Sequence, residues 1–138
     1  MCTLWYRGPE LLLGEKHYTA AVDVWSLGCI YAEMARGTAL FCGDSEVDQI
    51  HRIFRVRGLP SADAWPGALR LPMFSTFQRN QTQHYPEQNL QDDIWCPRLN
   101  DVKIDLLKRM LTMDPANRIS AAEALRHPAL EGVNEMDH

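Results

Sequence analysis

The sequence predicts a mainly α-helical domain that carries a long irregular insert, and three observations support that expectation. Apolar residues recur at helical spacing in four stretches bounded by capping and stopping residues. No run of alternating apolar and polar residues marks a strand. Between Leu59 and Arg98 the helical spacing is lost, and Pro60, Pro66, Pro72, Pro86 and Pro97 interrupt any long element.

The first helix is expected over 20–35, with Thr19 as N-cap, Asp23 in the early turns and Gly37 just past the end. Its apolar residues Val22, Val24, Trp25, Leu27, Cys29, Ile30, Tyr31 and Met34 point all round the axis, which places it in the middle of a domain. Gly28 in its interior costs about 1 kcal/mol relative to alanine, so another segment is expected to approach closely there. A second, amphipathic helix with one face to water follows Asp44 or Ser45 as cap, carries apolar Val47, Ile50, Ile53 and Phe54, and stops before Gly58 and Pro60.

Trp65, Phe74, Phe77, Tyr85 and Trp95 give the 59–98 insert enough aromatic surface to pack down. A third helix is expected from about Asp101 to Met113, ending before Asp114–Pro115 as the residue preceding proline leaves the helical region. The last begins at Ser120, where Glu123 three positions on completes a capping box, and closes at His127–Pro128.

Composition bounds what such a domain does. The chain has 138 residues, 46% of them hydrophobic, enough to bury a core against the entropy of ordering the chain. Eighteen acids against fourteen bases leave a formal charge of -4, so the surface is not polybasic and nucleic acid is not the expected partner. Cys2, Cys29, Cys42 and Cys96 form no C-x-x-C pair and read as free thiols of a reducing, intracellular compartment. Asp23, Ser26 and Glu33 interrupt the longest apolar run, so no membrane span is expected. The five histidines show no ligand spacing, and no metal site is expected.

The short motifs then point one way. T-L-W-Y-R-G-P-E at Thr3 to Glu10 resembles the end of a protein-kinase activation segment. It is followed in order by D-V-W-S-L-G-C at Asp23 to Cys29, G-D-S-E-V-D-Q-I at Gly43 to Ile50, W-P-G at Trp65 to Gly67, D-P-A-N-R at Asp114 to Arg118 and A-L-R-H-P at Ala124 to Pro128. Together these resemble the cyclin-dependent serine/threonine kinases of the CMGC group, from Thr3 to about Pro128. The resemblance implies the C-terminal (large) lobe part of the kinase fold without a small lobe: a partial kinase domain over 1–130 and a tail over 131–138. Groups that cradle ATP phosphates, hold magnesium and orient the attacking hydroxyl have no match here, since G-x-G-x-x-G, the V-A-I-K lysine, H-R-D and D-F-G are all missing from the 138 residues. The chain alone is therefore expected to be inactive and to hold no cofactor, with ATP and magnesium belonging to a full-length parent that phosphorylates protein serine or threonine.

Site roles follow from the same resemblance. Leu4, Trp5, Tyr6 and Arg7 match the segment shaping the pocket for the residue after the phosphoacceptor, where the family prefers proline, and Thr3 matches a threonine that braces the catalytic aspartate and lysine. Gly8 stands where the family carries alanine, and Ala129–Leu130 where it favours aromatics. Glu10 and Arg118 match a buried ion pair tying the activation segment to the lower lobe. Asp23 matches an acid that accepts backbone donors from the catalytic loop, and in this chain the helix dipole gives it a structural role. The helix from Asp44 to Arg57 and the following insert match the surface that receives a Cks-type regulatory subunit, whereas cyclin binding belongs to the full-length parent. The competing expectation is a non-catalytic interaction module, a decoy for kinase substrates or a Cks-type subunit. With the family's covering segments missing, part of the 20–35 helix is expected to expose an apolar patch. Location is expected in the nucleus, the cytoplasm or both.

Overall fold

The computed structural model describes residues 3–61, 63–74, 87–92 and 95–130. Expectations for Phe77, Tyr85, most of the Gln-rich stretch and the 131–138 tail lie outside the described residues. Helices α1 (Pro9–Leu12), α2 (Ala20–Arg36), α3 (Glu46–Arg57), α4 (Asp101–Met110) and α5 (Ala121–Leu125) succeed one another. Short 3-10 turns lie at Thr3–Tyr6, Pro66–Arg70 and Pro128–Leu130, and the described residues contain no strand.

The central helix α2 has three environments. Trp25, Cys29 and Ala32 enter the main core with Phe41, Ile50, Ile53 and Phe54, and Trp25 stacks on Phe41 with ring centroids 6.0 Å apart. Val24 turns into a smaller cluster with Leu106, Met110 and Ala124. On the remaining side Leu27, Ile30 and Met34 are 50%, 39% and 81% exposed, an apolar stripe with no cover. Gly28 sits where α2 meets the end of α4: a Cβ there would lie 2.9 Å from both Leu111 Cδ2 and Met110 Cβ, so only a hydrogen allows this approach. Gly37 closes the helix at φ 85°, its N–H donating to the Glu33 carbonyl at 2.7 Å. Thr19 holds the N-cap position in extended conformation, but its side chain makes no capping bond.

The other caps follow local chemistry. The Ser45 hydroxyl accepts from the Asp48 N–H at 3.1 Å, and Asn100 Oδ1 accepts from the Lys103 N–H at 2.9 Å. Both halves of the Ser120–Glu123 capping box are made, at 3.1 and 3.2 Å. Helix α4 stops at Met110, three residues short of the expected end. The carbonyls of Leu111, Thr112 and Met113 are taken by Arg57 Nε at 3.0 Å, Arg118 Nε at 2.9 Å and Arg118 Nη2 at 3.1 Å, and the chain bends to offer them. The short α1, with Pro9 at its first position, was not expected from periodicity because four residues carry no period.

The described parts of the insert are irregular yet supply core. Trp65, Ala68, Phe74, Leu90 and Cys96 are each at most 3% exposed and belong to the same cluster as Trp25. Fully burying one such large side chain is worth about 1.5–3 kcal/mol, so the insert helps to hold α2 and α3 in place.

Candidate functional site

The segment from Thr3 to Glu10 lies against α2 and α3, held by three sets of contacts. Its end is fixed by Glu10 and Arg118, 2% and 6% exposed. Arg118 Nη1 donates to Glu10 Oε2 at 2.8 Å and Nη2 to Oε1 at 3.1 Å, the parallel two-bond pairing of guanidinium with carboxylate. Nη1 also donates to the Ala21 carbonyl at 2.7 Å, Nη2 to that of Met113 and Nε to that of Thr112. A guanidinium has five N–H donors, and here all are used. The Arg118 Cζ also stands 5.2 Å from the centroid of the Trp25 ring, within cation–π range. One side chain thus joins α1, the start of α2 and the turn after α4.

The middle of the segment is held by α2. Ser26 Oγ donates to the Tyr6 carbonyl at 2.7 Å, and the Tyr6 hydroxyl donates to Glu33 Oε1. That bond to Glu33, with burial adding to it, pushes the Tyr6 phenol up to about 12. The third set comes from α3 and the loop before it. Trp5 Nε1 donates to the Gly43 carbonyl at 2.9 Å, Gln49 Nε2 donates to the Trp5 carbonyl at 3.3 Å, and Arg7 Nη1 pairs with Glu46 Oε1 at 2.8 Å on the surface.

Thr3 is exposed at the start of the 3-10 turn, Leu4 packs partly buried on the main core, and Trp5 and Arg7 are half-buried beside the 43–49 region. Asp23 stands apart from this group. It is exposed, and its carboxylate accepts a bond from the Tyr18 hydroxyl, which raises the Tyr18 pKa. Reasoning from sequence missed Gln49, Tyr6–Glu33 and Ser26. The signal for Gln49 was present: it precedes Ile53 and Val56 by four and seven positions, so a polar residue shares the buried face of an amphipathic helix. Ser26 and Glu33 had no such signal, because α2 is apolar on every side.

Among the described residues no group of three or more His, Cys, Asp or Glu is placed to hold a metal. No described helix is long and apolar enough to cross a membrane. The arrangement offers instead an ordered surface segment whose backbone is held from below.

Comparison with known proteins agrees with this geometry. The family model described as the protein kinase domain matches residues 1–130. A Dictyostelium discoideum protein named "Probable cyclin-dependent kinase 10" is 47% identical over 128 residues, covering 93% of this chain and 34% of that protein. The chain thus spans about a third of that relative's length. With a helical architecture, the matching motifs and these two similarities, the chain belongs to the protein kinase domain family, of cyclin-dependent type, and forms part of its large lobe.

Proposed function

We propose that these residues are the substrate-side portion of a cyclin-dependent-type serine/threonine kinase, which transfers the γ-phosphoryl of ATP to protein serine or threonine followed by proline. The observation that carries this reading is the fixing of Thr3–Glu10 from three sides, by Arg118, by α2 and by α3. A rigid, externally facing backbone segment is what discrimination at the residue after the acceptor requires, because positioning a peptide to within an ångström decides its reactivity.

In this role Leu4, Trp5 and Arg7 line the substrate groove and Thr3 meets the catalytic groups. Glu10 and Arg118 hold the segment down, and Asp23 keeps a structural place at the start of α2. Gly8 lies directly beside this pair: a Cβ at this position would meet Glu10 Oε1 at 2.3 Å, the mobile end of a side chain that can give way. ATP, magnesium and the catalytic loop belong to the rest of the kinase, which covers the stripe Leu27, Ile30 and Met34. Cyclin binds that complete enzyme, and a Cks-type subunit engages α3 and the insert, of which residues 75–86 lie outside the described residues. The enzyme works inside the cell, in nucleus or cytoplasm.

The test is a chimera in which residues 3–130 replace the matching segment of an active cyclin-dependent relative. It is expected to phosphorylate Ser-Pro peptides in preference to Ser-Ala peptides. A folded chimera that binds ATP yet phosphorylates neither would overturn the reading. Selective binding of Ser-Pro peptides by the 138-residue chain, with an inactive chimera, would favour the decoy instead.

A further inference from the structure

The geometry points to Gln49 and Gly43 as a clasp that sets the position of the Trp5 backbone, making Gln49 a positioning residue for the choice of the residue after the phosphoacceptor. The inference rests on the function proposed above and names a determinant of that same site.

Gln49 is completely buried, and its amide is spent on three backbone groups. Nε2 donates to the Phe41 and Trp5 carbonyls, both at 3.3 Å, while Oε1 accepts from the Gly43 N–H at 2.7 Å. The Trp5 indole closes the circuit by donating to the Gly43 carbonyl at 2.9 Å. Two bonds therefore reach Trp5, one to its backbone and one to its ring, and both originate at the 43–49 node.

The loop allows no slack. A Cβ on Gly43 would lie 2.5 Å from Gln49 Oε1, 2.6 Å from Gln49 Cα and 2.7 Å from Gln49 N. Two of those atoms are backbone, so the loop cannot accept a side chain without moving off α3. A buried amide that satisfies three otherwise orphaned backbone groups costs little while intact, and leaves all three unpaired when removed. Other contacts to the segment act elsewhere: Ser26 and Glu33 hold Tyr6, and Glu46 pairs with Arg7 at the surface. Without Gln49 the Trp5 carbonyl has lost its anchor, and the pocket shifts at the residue that shapes it.

Two substitutions perturb the clasp independently. Gln49→Met keeps the volume and removes the three bonds that Gln49 makes, and Gly43→Ala keeps Gln49 but displaces the loop. In the 138-residue chain each is expected to shift and broaden the Trp5 indole N–H resonance in a 1H–15N spectrum, with the Trp65 indole as control. In the chimera each is expected to lower the ratio of kcat/KM for Ser-Pro over Ser-Ala peptides about tenfold, in line with the cost of sub-ångström misplacement. ATP KM is expected to stay as in the unsubstituted chimera. An unmoved Trp5 resonance would overturn the clasp. A moved resonance with an unchanged specificity ratio, or an equal loss on both peptides, would leave Gln49 structural and overturn the positioning role. An unsubstituted chimera without activity would remove the kinase reading, and the specificity role with it, while the indole signal still reported whether the clasp exists.

Discussion

Arg118→Ala is the perturbation whose size the structure fixes best. It leaves the Glu10 carboxylate, 2% exposed, without its cation, and releases the carbonyls of Ala21, Thr112 and Met113 at once. Removing one partner of a buried pair costs about 3–5 kcal/mol, and a single orphaned carbonyl about 1 kcal/mol or more. Water entering the vacated volume recovers part of the second cost, so a loss of about 4 kcal/mol is expected. A domain's whole stability is about 5–15 kcal/mol, which places the variant near the edge of folding. Urea unfolding followed by tryptophan fluorescence measures it, since Trp25 lies under the guanidinium. With a slope of about 2 kcal/mol per molar urea, the midpoint should fall by about 2 M. Arg118→Lys keeps the charge but has at most three donors in place of five, and should lose about half as much. A loss below about 1 kcal/mol for Arg118→Ala, the worth of an exposed pair, would refute the assignment of a buried, saturated arginine.

Other consequences can be checked separately. Gly28→Ala should destabilise by about 1–3 kcal/mol through overpacking against Leu111 and Met110, read from the same urea curves. The stripe Leu27, Ile30 and Met34 should make the chain self-associate, so sedimentation velocity is expected to show concentration-dependent oligomers that the triple lysine variant abolishes. Asp105 is held below its ordinary value of 3.8 first by the bond from His127 and then by that from Arg109, and Asp48 by the bond from Arg52. Because the folded values are depressed, the stability they add is full above the unfolded value and is lost as pH falls below about 3.8. A Tm series through that range should show Asp105→Asn flattening the acid limb slightly, as befits exposed groups. Burial pushes the Cys29 and Cys96 thiols up, so among the described cysteines iodoacetamide should label the half-buried Cys42 first, and equal labelling of Cys29 would contradict the packing of α2.

The elements legible in the sequence were those written in local chemistry. Ser45, Ser120 and Gly37 mark helix ends through bonds within a turn, and the structure makes each of those bonds. The close approach at Gly28 was also legible, because a glycine inside a helix has an energetic cost that calls for a neighbour. The end of α4 was not, since it is set by Arg57 and Arg118, one of them 54 residues away from the carbonyl it binds. The core role of the insert was hidden for a similar reason: Leu90 and Cys96 have no period, and only long-range packing gives them an address. In the candidate site, motif order pointed to Thr3–Glu10, but the side chains that hold it in place come from α2, α3 and residue 118. Gln49 alone among these gave a signal, a polar residue on a buried face, and Arg118 was found through its motif rather than through any local pattern.

Thr3–Glu10 is part of the folded lobe and not a length of chain lying on it. Hydrogen exchange on the intact 138-residue protein tests this most directly, peptide by peptide. Amides of residues 4–13 are expected to exchange with the same opening free energy as those of α2 and α4, because Arg118, Ser26 and Gln49 bind them into one cooperative unit. Exchange of residues 4–13 at unfolded-chain rates while α2 remains protected would contradict it.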